Sequence, residues 1–248
     1  LAVAVSACAP KTKPTDPSAG SYSFDGWYKE AACTTKVGNA GATYYPTADI
    51  ELFAKWIPIT YSVVYNGNGN TGGSTATSTH TYDVAKNLTA NGFERKYTVT
   101  YNAQGGTVSP TSASAKYTMK EWKDVIKDIT YTDKQSVINL SNTQDSVINL
   151  YAQWDASTCY VTLPTPTRKG YTFNAWYKDA AYSEIAGNAG VTYYLTSNQT
   201  LYAKWTVNTY TVTLNPGAAT TPGTTSVTAT YDAALPTITV PTRTGYTF

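Results

Sequence analysis

The sequence predicts a mainly β protein built as a tandem array of small modules, with one helix near residues 119–129. Two observations carry this. Residues 22–56 and 171–205 align at one fixed offset without a gap and are identical at 19 of 35 positions. The phrases that bound these copies alternate with the period of a strand. The shared positions are aromatic, Gly and small residues, with no shared set of acids, bases and nucleophiles. Such repeats are structural units reused along a chain.

The elements follow in order. A closing phrase occurs three times, as Leu52-Phe53-Ala54-Lys55-Trp56, Leu150-Tyr151-Ala152-Gln153-Trp154 and Leu201-Tyr202-Ala203-Lys204-Trp205. An opening phrase follows the first closer (Tyr61-Ser62-Val63-Val64-Tyr65-Asn66) and the third (Tyr210-Thr211-Val212-Thr213-Leu214-Asn215). Cys159-Tyr160-Val161-Thr162-Leu163 reads as a shortened opener after the second closer, and Tyr97-Thr98-Val99-Thr100-Tyr101-Asn102 as an opener with no closer before it. Alternation puts Tyr97, Val99 and Tyr101 on one face, and Leu201, Ala203 and Trp205 on one face. β-Branched and aromatic residues suit a pleated, half-buried surface. The openers run into Asn- and Gly-rich turns, where positive φ is tolerated.

One segment breaks the pattern. Met119, Trp122, Val125, Ile126 and Ile129 have the spacing of a helix face, with Lys120, Lys123, Asp124, Lys127 and Asp128 elsewhere. A short duplication follows, Ser136-Val137-Ile138-Asn139-Leu140 and Ser146-Val147-Ile148-Asn149-Leu150, read as two strands forming a hairpin around Asn142-Thr143.

The run Gly170-Tyr171-Thr172-Phe173-Asn174-Ala175-Trp176-Tyr177, then Leu201-Tyr202-Ala203-Lys204-Trp205, then Tyr210-Thr211-Val212-Thr213, resembles the Listeria–Bacteroides repeat family, the B repeats of internalin-type bacterial surface proteins. The resemblance covers most of residues 20–248. It implies small α+β, β-grasp-like modules in tandem, exposed on a bacterial surface, and no catalytic residue or universal ligand. Residues 61–93 depart from the family pattern by keeping only Gly92-Phe93 of the aromatic phrase, and residues 97–154 by their substituted middle.

The N-terminal run Leu1 to Ala7 followed by Cys8 resembles the end of a bacterial lipoprotein signal, with Val5-Ser6-Ala7-Cys8 as lipobox and Cys8 as the lipidated residue. The run is too short to span a bilayer, which needs roughly 20 apolar residues. The expected organisation is a truncated signal (1–8), a Pro-rich tether (9–20), repeat unit 1 (21–57), a degenerate unit 2 (58–96), a divergent unit 3 (97–155), unit 4 (156–206) and a truncated unit 5 (207–248). With no initiator Met and a last unit stopping at Tyr246-Thr247-Phe248, the chain reads as a fragment cut at both ends.

Composition excludes some classes. A net charge of +2 with no basic run argues against nucleic acid as a partner. Cys33 and Cys159 could pair outside the cytoplasm, although they lie in different units. No Cys-x-x-Cys motif occurs, and no metal or cofactor is expected. The single His, His80, sits in a Thr/Ser-rich stretch and reads as an exposed loop or strand residue. The acids mostly change between copies (Asp49 to Asn198, Glu51 to Thr200, Asp25 to Asn174), unlike a catalytic pair.

A buried Trp removes about 150–250 Å² from water, worth at most about 4–6 kcal/mol. Trp56, Trp154, Trp176, Trp205 and Phe173 are therefore the expected core anchors. Neighbours on a strand face opposite ways, so Trp27 and Trp176 are placed inward, and Tyr28 and Tyr177 outward. With Tyr45 and Tyr194 these tyrosines form a candidate ligand-contact strip. The expected function is a non-catalytic, lipid-anchored surface protein whose modules adhere to a host or bacterial surface protein or glycan, or act as a stalk. The alternative is the accessory repeat region of a glycan hydrolase or protease whose catalytic domain lies outside these residues.

Overall fold

The computed structural model describes the backbone of Val5–Cys8 and residues 20–248. Apart from those positions, the signal and tether expected over 1–20 lie outside the described residues. The first region contains strands β1 (Val5–Cys8), β2 (Tyr22–Tyr28), β3 (Lys36–Gly38), β4 (Leu52–Pro58), β5 (Thr60–Asn66), β6 (Gly72–Gly73), β7 (Ser78–Thr81), β8 (Lys86–Asn87) and β9 (Phe93–Glu94). Then follow β10 (Lys96–Asn102), β11 (Ser112–Lys116), β12 (Thr118–Asp124), β13 (Ile129–Tyr131), β14 (Ser136–Val137), β15 (Val147–Asp155) and β16 (Tyr160–Thr162). The last are β17 (Tyr171–Tyr177), β18 (Ile185–Gly187), β19 (Thr192–Tyr194), β20 (Gln199–Val207), β21 (Thr209–Thr213) and β22 (Ser226–Thr230). The structure is mainly β, and the described residues contain no α-helix, only a 3-10 turn at Ala156–Thr158.

The helix expected over 119–129 is therefore corrected. Those residues form strand β12, a turn and strand β13. Trp122 and Asp124 point inward on β12 while Met119 is half-buried, because a bulge between Met119 and Glu121 shifts the alternation. Val125, Ile126 and Ile129 are exposed, so the apolar face inferred from helical spacing does not exist. The Asp124 carboxylate accepts the backbone N–H groups of Ile126 (3.0 Å) and Lys127 (3.1 Å) and closes the turn. The 136–140/146–150 hairpin is also corrected. β14 pairs with β8, whereas β15 lies between β12 and β5. The repeated phrase sits in two unrelated environments.

Two five-stranded sheets share one plan. Their orders are β13-β12-β15-β5-β7 and, read from the same side, β18-β17-β20-β10-β11. In each, a closer strand (β15, β20) is antiparallel to the Trp-bearing strand (β12, β17) and parallel to an opener (β5, β10). The register repeats: Leu150 faces Tyr65, and Leu201 faces Tyr101. The bulge at Met119/Glu121 recurs at Phe173/Ala175.

The opener β10 does not pair with β15, the closer that follows it in sequence; β15 pairs with the earlier opener β5, and β10 pairs with β20. The chain forms two compact units, Leu1–Arg95 with Thr118–Asp155, and Lys96–Tyr117 with Ala156–Phe248. The opener hairpin β10–β11 thus interrupts the first unit and belongs to the second. The segment 58–96 looks degenerate in sequence because its Trp strand and closer come from 118–155. Cys159–Leu163 is not an opener: β16 pairs with β19 in a separate two-stranded sheet.

Two half-modules complete the inventory. In the first unit the sheet β1-β4-β2-β3 has a closer (β4), a Trp strand (β2) with the same bulge at Phe24/Gly26, and the backbone of β1 in the opener's place, Val5 facing Leu52. In the second unit β21 and β22 form an opener hairpin by themselves. The core of the first full module gathers Tyr61, Val63, Tyr65, Trp122, Leu150 and Ala152. In the second, Val99, Tyr101, Trp176, Leu201 and Ala203 occupy the equivalent positions, all buried.

Candidate functional site

The feature the fold repeats is the lock between opener and closer. Each opener ends in an Asn whose side-chain oxygen accepts the N–H two residues on: Asn66 from Asn68 (2.8 Å), Asn102 from Gln104 (3.0 Å), Asn215 from Gly217 (2.9 Å). The central residue has φ of 48°, 49° and 59° at Asn68, Gln104 and Gly217, a left-handed turn suited to Asn and Gly. This turn aims a carbonyl at the Trp that ends the closer. Trp154 Nε1 donates to the Gly67 carbonyl, and Trp205 Nε1 to the Ala103 carbonyl, each at 2.9 Å. Arg168 braces the second lock, donating to the Gln104 carbonyl at 3.0 Å with its guanidinium 3.8 Å from the Tyr171 ring.

A second repeated feature joins a closer half to the next opener hairpin. Ile59 N–H donates to the Ser21 carbonyl (3.1 Å), and Tyr82 N–H to the Ile59 carbonyl (2.9 Å). The same bonds link Asn208 to Gly170 and Tyr231 to Asn208, both at 2.9 Å, at the repeat's own offset. Tyr22 meets Tyr82 edge-on at 5.7 Å, as Tyr171 meets Tyr231 at 6.1 Å. The Tyr22 hydroxyl donates to Asp83 Oδ2. Burial first, and this bond to a carboxylate second, push the Tyr22 pKa up to about 12.

The four tyrosines expected to form a contact strip differ in exposure. Tyr28 is 5% exposed, packed with Cys33 and Phe53, its hydroxyl donating to Asp25. The outward placement of Tyr28 is therefore corrected. Tyr177 is half-buried, with Tyr182 edge-on at 5.4 Å and Lys204 Nζ 5.0 Å from its ring. The different neighbour at the Cys33/Tyr182 position explains why the two copies diverge. Tyr45 is 84% exposed, and Tyr194 is exposed beside Tyr160, ring centres 5.9 Å apart.

Of the expected anchors, Trp176 is fully buried and donates to the Pro164 carbonyl at 2.8 Å. Trp56, Trp154, Trp205 and Phe173 are half-buried. Phe173 bridges Trp176 and Trp205 at 5.6 and 5.5 Å.

Trp122 and His80 were also misplaced by sequence reasoning. Trp122, read as a helix residue, is fully buried at the Trp176 position; Trp followed 32 residues later by the closer's Trp154 was the available signal. His80, expected to be exposed, is completely buried. It faces Tyr61 across the β5–β7 ladder, stacks on that ring at 5.6 Å and contacts Ser78 Oγ at 2.9 Å. Burial holds its imidazole pKa below the usual range. Cys33 is disulfide-bonded, while Cys159 is buried and in no disulfide, so Cys33 and Cys159 are not joined. Among the described residues no group of three or more His, Cys, Asp or Glu could hold a metal, and no helix is long and apolar enough to cross a membrane.

Repeated mixed sheets, a recurring closer–opener lock and a recurring junction define a tandem β-repeat protein. The model of the Listeria-Bacteroides repeat domain matches residues 4–55, 97–153, 128–204 and 210–248, and the chain belongs to that family. Two relatives come from Evansella cellulosilytica. One, described as a putative membrane protein, is 25% identical over 202 residues, covering 81% of this chain and 29% of its own length. The other, described as a putative Gly-rich membrane protein, is 24% identical over 211 residues, covering 81% and 22%. The chain thus spans less than a third of either relative. No solved structure matches.

Proposed function

We propose that this chain is a non-catalytic, cell-surface repeat segment whose modules hold a further part of the protein away from the membrane. The observation that carries the reading is the junction made at Ser21, Ile59 and Tyr82 and made again at Gly170, Asn208 and Tyr231. A joint reproduced bond for bond is a device for serial extension, in which each module is added to the last in the same way. The relatives' descriptions as membrane proteins support a location at the membrane. Each full module has a parallel opener–closer pair inside a mixed sheet, with no α-helix among the described residues, and the β-grasp likeness rests on the family resemblance alone.

Protease treatment of intact source cells tests the location. The account expects the repeats to be released from whole cells. A segment protected until lysis contradicts it.

Adhesion is the second reading, favoured by the Tyr177, Tyr182 and Lys204 cluster and the exposed Tyr160–Tyr194 pair. Saturable binding of the chain to mucin or epithelial cells, lost on replacing Tyr194 and Tyr160 by Ser without a change in melting, supports it. Unchanged binding in that variant removes it.

The anchor is proposed at Cys8. Signal cleavage there would remove Val5–Ala7, whose backbone pairs with β4. The mass of the mature N-terminal peptide decides: a diacylglyceryl Cys8 supports the anchor, and an intact Leu1–Cys8 peptide rejects it.

A further inference from the structure

We propose that the outer face of β17 and β20 binds a carboxylated sugar residue of an acidic polysaccharide, Lys204 taking the carboxylate and Tyr177 and Tyr182 the sugar ring. This inference rests on the adhesion reading and names its ligand class and contact site. Tyr177 pairs with Tyr202, so both rings lie on one face, and Lys204, two residues on, shares it. Trp176, Leu201 and Ala203 are buried on the opposite face. Lys204 Nζ lies 5.0 Å from the centre of the Tyr177 ring and 5.5 Å from that of Tyr182. All three side chains are half-buried, held by their neighbours yet open to solvent.

The first copy of the repeat builds the same arrangement and neutralises it. Lys55 Nζ lies 5.0 Å from the Tyr28 ring. The Asp25 carboxylate sits 3.8 Å from Lys55 Nζ and 3.2 Å from Lys36 Nζ, and accepts the Tyr28 hydroxyl. In the second copy Asn174 stands for Asp25, Ile185 for Lys36 and Tyr182 for Cys33. Asn174 accepts the Thr206 hydroxyl at 3.0 Å instead. Lys204 thus keeps its aromatic seat and loses its acid: among the described residues no carboxylate pairs with it. The acids of the adjoining turn are engaged. Glu184 pairs with Lys178, and Asp179 accepts the N–H groups of Ala181 (2.9 Å), Ser183 (3.1 Å) and Glu184 (3.0 Å). A half-buried cation without an internal counter-charge is complementary to an anion.

The surroundings select a sugar acid over a bare anion. The electron-rich face of a Tyr ring takes the C–H face of a pyranose. The ammonium beside it keeps donors for a carboxylate on the same sugar. Thr200 shares the outer face, two residues before Tyr202, and stands opposite Thr100 of β10, so hydroxyls line the strand next to the rings. Tyr182 has a φ of 59°, in a turn tied down by Asp179, so its ring is in place before a ligand arrives.

NMR titration of the full chain with sialyllactose and with an oligogalacturonate tests this, with lactose as the neutral control. Sialyllactose stands for an animal mucin and the oligogalacturonate for a uronate polymer, and the tighter of the two names the source. The expected result is a saturable change at Tyr177, Tyr182 and Lys204 with an acid, weakened by salt, and none with lactose. Lys204→Gln uses a residue that the closer already carries at Gln153, and should weaken binding about tenfold or more. Asn174→Asp restores the acid of the first copy and should weaken binding as much without lowering the melt.

Binding that survives both substitutions would overturn the site, as would lactose binding equally well or poly(glycerol phosphate) binding more tightly than either sugar acid. A chain that binds mucin but neither sugar acid overturns this inference and leaves adhesion standing. A chain that binds neither mucin, epithelial cells nor the sugars removes the adhesion reading and this site with it.

Discussion

The indole of Trp205 donates to the carbonyl of Ala103, 102 positions earlier, at 2.9 Å. Trp154 makes the same bond to Gly67. A closer is therefore locked to an opener that precedes it by most of a module, and the chain between them belongs partly to other sheets.

Removing the lock should cost stability in the module that owns it. Trp205→Phe keeps most of the ring but leaves the Ala103 carbonyl with only the Gly106 N–H at 3.0 Å, an expected loss of about 0.5–1.5 kcal/mol. Trp122→Ala empties a fully buried site and should cost about 3–5 kcal/mol. Denaturant titration of the two variants, followed by residual Trp fluorescence, checks the order of these effects.

His80 makes the first unit sensitive to acid. Its folded pKa lies below its unfolded value of 6.5. The unfolded state then binds the extra proton first, so the stabilisation is complete above pH 6.5 and is lost as pH falls below it. The second unit contains no His. Melting followed from pH 7.5 to 5 should show a fall for the first unit that His80→Phe flattens. Parallel pH profiles with and without His80 would remove this explanation.

Tyr22 acts at the opposite extreme. Its hydroxyl, bonded to Asp83, has a pKa of about 12 against 10 for the free group. The neutral form is favoured in the folded state, so the contribution is present below pH 10 and lost on rising from there through about 12. Tyr22→Phe should lower the stability of the first unit at neutral pH and reduce its decline in alkali.

The hairpin 97–116 should be excisable. Lys96 and Lys116 are paired residues at its base, so Lys96 and Tyr117 can be joined without a long span. The first unit, which uses none of 97–116, should then fold as before. The second should lose the opener that covers Trp176 and accepts from Trp205. Loss of the first unit's melting transition would contradict the nested arrangement.

Much of this was legible in the sequence where local chemistry decides structure. The alternation of Tyr97, Val99 and Tyr101 and the Asn turns gave the strands, and the copy at 171–205 gave the family. What was hidden is non-local. Met119, Trp122 and Val125 have helical spacing, yet a bulge and the Asp124 turn realise the same residues as strands. Helical period over so short a run is a weak signal beside a closer strand waiting to be paired. His80 looked polar and exposed because its burial depends on Tyr61 across the ladder. The pairing of β10 with β20 rather than with the next closer left no mark, since β5 and β10 carry the same alternation.

That pairing is tested most directly by interstrand NOEs in a labelled sample. The interleaved arrangement predicts cross-peaks between Tyr101 and Leu201 and between Tyr65 and Leu150. Cross-peaks between Tyr101 and Leu150 would instead show modules closing in sequence order, and would contradict it.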